Sequence, residues 1–281
     1  MLKDNNFTSS KIWKDSNRIR YDVNNVVNLD NVDFVIKDTE ILCLQYFKID
    51  FTENLLKLIK SSVVNGKNVI FKYIDLTEEQ LILLKNWCNK NNLNLFINDE
   101  WDAPKLILAE DFSNYIKKKC TLLKRDYVKY LSDIEIEYQI FSGKALDLWT
   151  SVLTIDKKSW KGKNLCDMKS LDREDLQYIF YLMSEPNNSS LMVAFKDNEP
   201  LAYSLWFKAN DDAWYAAKWG ASDSGRVVNA GIKVLFNHIN YILNKQNNIL
   251  NLDFWGRRSQ FYDMLKNSDI RRYHFEIRGQ N

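Results

Sequence analysis

Ala216-Ala217-Lys218-Trp219-Gly220, with Arg226-Val227-Val228-Asn229-Ala230-Gly231 close behind it, reads as a strand, a loop and the opening of a helix. The apolar run 213–219 supplies the strand, and the periodic apolar positions of 229–244 supply the helix. A strand that turns into a helix start presents backbone N–H groups with no partner inside the helix. Such a turn suits a phosphate or pyrophosphate, and Arg226 adds positive charge to it. The other reading is an ordinary helix start whose small residues, Ala230 and Gly231, serve packing.

Strands at 191–195, 201–207 and 213–219 lead up to this turn, separated by Asp197-Asn198-Glu199-Pro200 and Asn210-Asp211-Asp212. A strand at 249–254, a short helix at 259–266 and a last strand at 272–277 follow it. Further upstream, a helix through 145–158 ends at Ser159-Trp160-Lys161-Gly162, and another covers about 172–184 with Ser170 as its N-cap. The first half has a similar rhythm. Strands are expected at Val32–Ile36, 41–47, 69–74 and 93–97. Between them lie a helix with Leu55, Leu56, Leu58, Ile59 and Val63 on one side, and a helix opened by the capping pair Thr77 and Gln80. Residues 1–31 are polar and are expected as loop or a short strand. Residues 112–131 are expected as one long helix bearing Lys117, Lys118, Lys119, Lys124, Arg125 and Lys129, and 134–140 as a half-exposed strand. The whole is an α/β chain in two parts, 1–141 and 142–281, with mixed, twisted sheet flanked by helices.

Composition narrows the function. Of 281 residues, 46% are hydrophobic and 14% aromatic, enough for a sizeable core. Eight Gly and three Pro exclude collagen-like and linker-rich designs. A net charge of +2 provides no global field to draw nucleic acid or membrane. Cys43, Cys88, Cys120 and Cys166 are widely spaced and only two histidines are present, so no metal is expected and the thiols read as reduced. The first residues lack the apolar stretch of a secretory signal, and no run approaches the roughly 20 apolar residues of a membrane-spanning helix. A cytoplasmic protein with no membrane insertion is expected. No GxSxG, HExxH or P-loop pattern occurs, and His238 and His274 read as packing or surface residues.

The element order of 142–281 and three motifs resemble the GNAT acyltransferase family. The motifs are Asp156-Lys157-Lys158-Ser159-Trp160-Lys161-Gly162, the two stretches quoted first, and Leu252-Asp253-Phe254-Trp255-Gly256-Arg257 with Phe261-Tyr262 behind it. Together they look like the cellulose-biosynthesis-associated acetyltransferase branch, distantly related to Fem-type peptidyltransferases. The resemblance implies tandem GNAT-like halves. It implies acyl-CoA as a co-substrate and no permanently bound cofactor. Trp219, Arg226, Val227, Asn229, Ala230 and Gly231 would form the coenzyme A site, with the pantetheine arm paired along the strand of Trp214 and Trp219. Tyr262 is implied to protonate the departing thiolate, which suits a phenol of pKa about 10; its other reading is ring packing. Asp253 either takes a proton from the attacking amine or binds an arginine or a backbone N–H. Asp156, Ser159, Trp160, Lys161, Tyr203 and Arg257 are assigned to the acceptor, with Lys161 meeting a phosphate or carboxylate.

The implied reaction is direct attack by an amine of a small acceptor (amino sugar, amino acid or natural-product intermediate) on the acyl-CoA thioester. The Fem-type relatives imply a second donor, aminoacyl-tRNA, for which the basic segment 112–131 is the candidate contact; its plain reading is a solvated helix face. Asn229 stands where the family's cofactor loop has a glycine, and Asp263 where it has a lysine. Asn tolerates left-handed backbone angles, which preserves the turn. Both departures also suit a third reading, a non-catalytic GNAT binding protein.

Overall fold

The computed structural model describes residues 11–21, 23–132, 135–141, 146–159, 162, 183, 189–208, 213–245, 250–255 and 259–280. Its first elements are α1 (Lys11–Arg20), β1 (Val26–Leu29), β2 (Val32–Ile36), β3 (Glu40–Cys43), α2 (Glu53–Val64), β4 (Asn68–Asp75) and α3 (Glu78–Lys90). Then come β5 (Leu93–Leu108), α4 (Phe112–Lys117), α5 (Thr121–Ser132), β6 (Glu137–Phe141) and α6 (Leu146–Lys157). The remainder is β7 (Ser189–Lys196), β8 (Glu199–Lys208), β9 (Ala213–Ala221), α7 (Asp223–Val227), α8 (Ala230–Lys245), β10 (Leu250–Asp253), α9 (Gln260–Leu265) and β11 (Ser268–Gly279).

Local chemistry sets the helix starts. Thr52 caps α2 by accepting from the Leu55 N–H. Thr77 and Gln80 form the capping box expected for α3. Ser259 caps α9 by accepting from the Tyr262 N–H at 3.2 Å.

Hydrogen bonding runs through eleven strands in the order β1-β2-β3-β4-β11-β5-β10-β9-β8-β7-β6. This corrects the expectation of two separate sheets. The cause is β5, which runs for 16 residues and does not stop at Ile97. Its continuation, Asn98-Asp99-Glu100-Trp101-Asp102, is charged, yet exposure alternates there, as suits a strand with one open face. Compactness divides the chain into Met1–Ala103 with Asp269–Asn281, and Pro104–Ser268. β11 returns to pair with β4, and α4 and α5 pack on α8.

Each unit contains a parallel strand pair joined through a helix. In the first unit β3 and β4 are parallel, with α2 between them in the chain. In the second, β9 and β10 are parallel, with α7 and α8 between them. The first core centres on Phe34, Ile59, Phe71 and Phe275. The second centres on Trp206, Phe236, Leu252 and Leu265.

Two further expectations change. Residues 11–20 are helix and not loop. The long basic helix is two helices, broken at Lys118-Lys119-Cys120, where the Lys119 ammonium donates to the Lys266 carbonyl at 2.6 Å and lies over the Tyr115 ring. The helix expected at 172–184, and Ser170 with it, lie outside the described residues. Among the described residues no helix is long and apolar enough to cross a membrane.

Candidate active site

The site begins with the parting of two parallel strands. β10 pairs with β9 at Asn251↔Ala213, Leu252↔Trp214 and Asp253↔Tyr215, and there the pairing ends. β9 continues to Ala221, held on its other side by β8. A bulge marks the place of parting: Trp206 faces Ala216 and Leu205 faces Lys218, so Ala217 is the extra residue. A bulge bends its strand and increases its twist. Among the described residues no strand pairs with β9 over 216–221 on the side turned away from β8.

Beyond the bulge the chain makes two close approaches. Ser222 accepts from the Gly225 N–H at 3.0 Å and donates to the Leu201 carbonyl at 3.1 Å, which seats α7 on β8. A Cβ on Gly225 would fall 2.2 Å from the Leu201 oxygen, so only glycine fits. Asn229 follows with φ +55°, and its carbonyl accepts from the N–H groups of Ile232 and Lys233, which opens α8. The left-handed turn is thus made by Asn.

A cavity of about 460 Å³ lies at this junction, lined by Trp219, Arg226, Asn229, Gly231 and Ile232 together with Gly220 and Ala221. Arg226 supplies its charge. Of the other residues assigned to the coenzyme A site, Ala230 is buried beneath the turn and Val227 is turned outward, 83% exposed. Trp219 closes one wall. Its indole N–H donates to the Gly231 carbonyl at 2.7 Å, and its ring lies 5.8 Å from both Phe261 and Tyr262.

Tyr262 stacks on Phe254, centroids 4.3 Å apart and planes at 19°. Burial pushes its phenol above the ordinary tyrosine range. Asp253 is on the opposite face of the sheet, because it sits beside Tyr215 in register while Leu252 and Trp214 face α8. It is buried. One carboxylate oxygen accepts from the Trp255 N–H at 2.7 Å, and the other lies 3.8 Å from the Lys105 ammonium. This is the backbone-binding reading of Asp253. Trp255 itself has φ +61°, rare for so bulky a residue, and stands edge-on to Tyr215.

Asp156 and Tyr203 do meet. The Tyr203 hydroxyl donates to Asp156 at 2.9 Å, and both are fully buried. Ser159 donates to the Asp156 backbone carbonyl at 2.7 Å, closing the end of α6. Trp160, Lys161 and Arg257 lie outside the described residues. His238 is a packed residue: it stacks on Trp206 at 4.2 Å, shares a hydrogen bond with Ser190, and burial holds its pKa down to about 3.

No family model matches this sequence, and no curated protein does. Solved structures do resemble it. FemX aligns with a TM-score of 0.62 at 9% identity, over 96% of this chain and 94% of its own. The C-terminal domain of a putative lysylphosphatidylglycerol synthetase from Agrobacterium fabrum gives 0.61 at 11%, over 90% and 83%. A tandem GNAT protein from the clavulanic acid biosynthesis pathway gives 0.53 at 8%, over 88% and 77%. The fold is GNAT-like. At these identities the likeness is one of fold alone.

The sequence reading missed Ala217, Gly225, Lys105 and Tyr215. A signal for the bulge was present: Trp214, Ala216, Trp219 and Ala221 share the face toward α8, and their spacing contains one step of three where a regular strand has two. Nothing local marked Lys105, which comes from the far end of a strand expected to end earlier.

Proposed function

We propose that the second unit is an acyltransferase that moves an acyl group from an acyl-CoA thioester to an amine. The observation that carries this is the parting of β9 and β10 after Tyr215 and Asp253, next to a cavity at the start of α8. The edge of β9 beyond its pairing with β10 is a template for an extended amide chain such as pantetheine. The pyrophosphate would lie at the first turn of α8, with Arg226 beside it. The N–H groups of β9 are then placed to stabilise the oxyanion of the tetrahedral intermediate. The amine nitrogen forms a bond to the acyl carbon, the carbon–sulfur bond breaks, and Tyr262 gives its proton to the thiolate. The proton lost by the amine leaves through solvent or a nearby base. The gap between the strands joins the two faces of the sheet, so the donor on the Tyr262 face meets an acceptor on the Asp253 face. An amino sugar, an amino acid or a natural-product intermediate fits as acceptor.

Aminoacyl-tRNA is the second donor reading, supported by the Fem-type resemblance and by the exposed cations Lys117, Lys124 and Lys129 on α4 and α5. The deciding measurement is thermal stability with coenzyme A and acyl-CoAs. A ligand at about 100 times its dissociation constant adds roughly 2.7 kcal/mol. A rise in Tm with acyl-CoA supports the thioester donor. No rise with any acyl-CoA, alongside tRNA binding that weakens steeply with salt, would transfer the case to the second donor. No response to either leaves a non-catalytic binding protein.

A further inference from the structure

The first unit has a cavity of its own, of about 400 Å³, between the start of α2 and the outer half of α3. That volume is in the range of small-molecule sites. Phe51, Leu56, Leu83, Leu84 and Trp87 make most of its lining. Phe51 is fixed from behind by Phe71 and Phe275, at 5.7 and 6.4 Å between centroids. Leu83 stands at the mouth, 61% exposed.

The cavity occupies the same point in its unit's topology as the one at the start of α8. Each sits where the first strand of a parallel pair gives way to the helix that crosses to the second. The chemistry is inverted. Arg226 lines the cavity of the second unit. Here the charged residue in the lining is Asp50, and it has no ion-pair partner among the described residues. Among the described residues no lysine or arginine lines the space. The helix starts offer little to an anion either. The Thr52 hydroxyl caps α2 and donates to Asp30, and the capping box closes α3. A phosphate here would meet a carboxylate and already satisfied caps. A cation with an apolar body would meet a carboxylate and aromatic faces, both of which favour it.

We propose that this cavity binds a small hydrophobic amine, with an aromatic or branched aliphatic body against Phe51 and Trp87 and its ammonium on Asp50. The site is separate from the acyl-transfer reading, and its test uses no acyl donor.

The test is calorimetric titration of the full chain with three isosteres: 3-phenylpropylammonium, 3-phenylpropanol and 3-phenylpropionate. The expected order is ammonium first, with roughly tenfold weaker binding of the alcohol and none of the carboxylate. Asp50→Asn should bring the ammonium down to the level of the alcohol. Leu83→Trp, a change at an exposed position that fills the mouth, should abolish binding of both with no loss of Tm. Equal binding of all three, or none by millimolar concentration, overturns the proposal. So does a dimer on size-exclusion chromatography that Leu83→Trp dissociates, which would put a second copy of the chain in the cavity.

Discussion

The indole N–H of Trp219 donates to the carbonyl of Gly231, and this one bond ties the end of β9 to the first turn of α8. The approach is tight: a Cβ on Gly231 would stand 3.3 Å from the same indole. The cavity wall is therefore set by a strand residue and a helix residue that position each other. Trp219→Phe keeps most of the ring and removes the donor. A net loss of about 1 kcal/mol is expected, read as a fall in Tm of about 2–4 °C. The Tm rise caused by acyl-CoA should shrink in the same variant, since the wall it needs is loosened. A full acyl-CoA shift in Trp219→Phe would separate this bond from binding.

Asn229 and Gly225 act through backbone geometry. With φ +55° and an exposed side chain, Asn229 should accept Gly at little cost, whereas Asn229→Ala should lose about 1–2 kcal/mol by urea denaturation. Gly225→Ala is expected to be worse, because the added carbon collides with the Leu201 carbonyl and must move α7 as a whole. Its acyl-CoA response should fall further than that of Asn229→Ala. Equal behaviour of the Gly and Ala variants at 229 would argue against a conformational role for that turn.

Periodicity revealed the elements near the site because their apolar positions are local. The three strands before the turn and the helix after it are set by neighbours within a few residues. The failures are non-local. The charged stretch of β5 looks like loop in isolation, and its strand state depends on β11 beside it, whose Arg271 pairs with Glu100 and Asp102. The break in the basic helix depends on Lys119 reaching Lys266. In the same way, Asp253 could be read as a buried carboxylate, but its commitment to the Trp255 N–H follows from a left-handed turn that the sequence does not announce.

His238 predicts the acid limb of stability. Burial disfavours its charged form, and its pKa falls from 6.5 to about 3. The unfolded chain then binds the proton first, so stability is complete above the unfolded pKa and is lost as pH falls below 6.5 toward 3. His238→Leu should flatten this loss. The check is a series of urea unfolding curves from pH 7 to pH 4 on both proteins. Parallel curves for the two would remove His238 as the cause.

Tyr262 is the last link, between the fold and the chemistry. Its phenol is held protonated by burial, and its ring is fixed on Phe254 and beside Trp219. Burial keeps the phenol protonated at neutral pH, as a donor to sulfur must be, and the same shift makes it a weaker acid than a free tyrosine. Tyr262→Phe preserves the stack and removes the proton. It should lower kcat by about 10²-fold or more, with KM for acyl-CoA little changed and Tm retained. Because the pKa is raised, the wild-type rate should show no fall attributable to this group below the ordinary tyrosine range near pH 10. The measurement is steady-state kinetics across pH for both proteins. An unchanged kcat would mean that solvent protonates the thiolate and that Tyr262 serves only as a wall of the site.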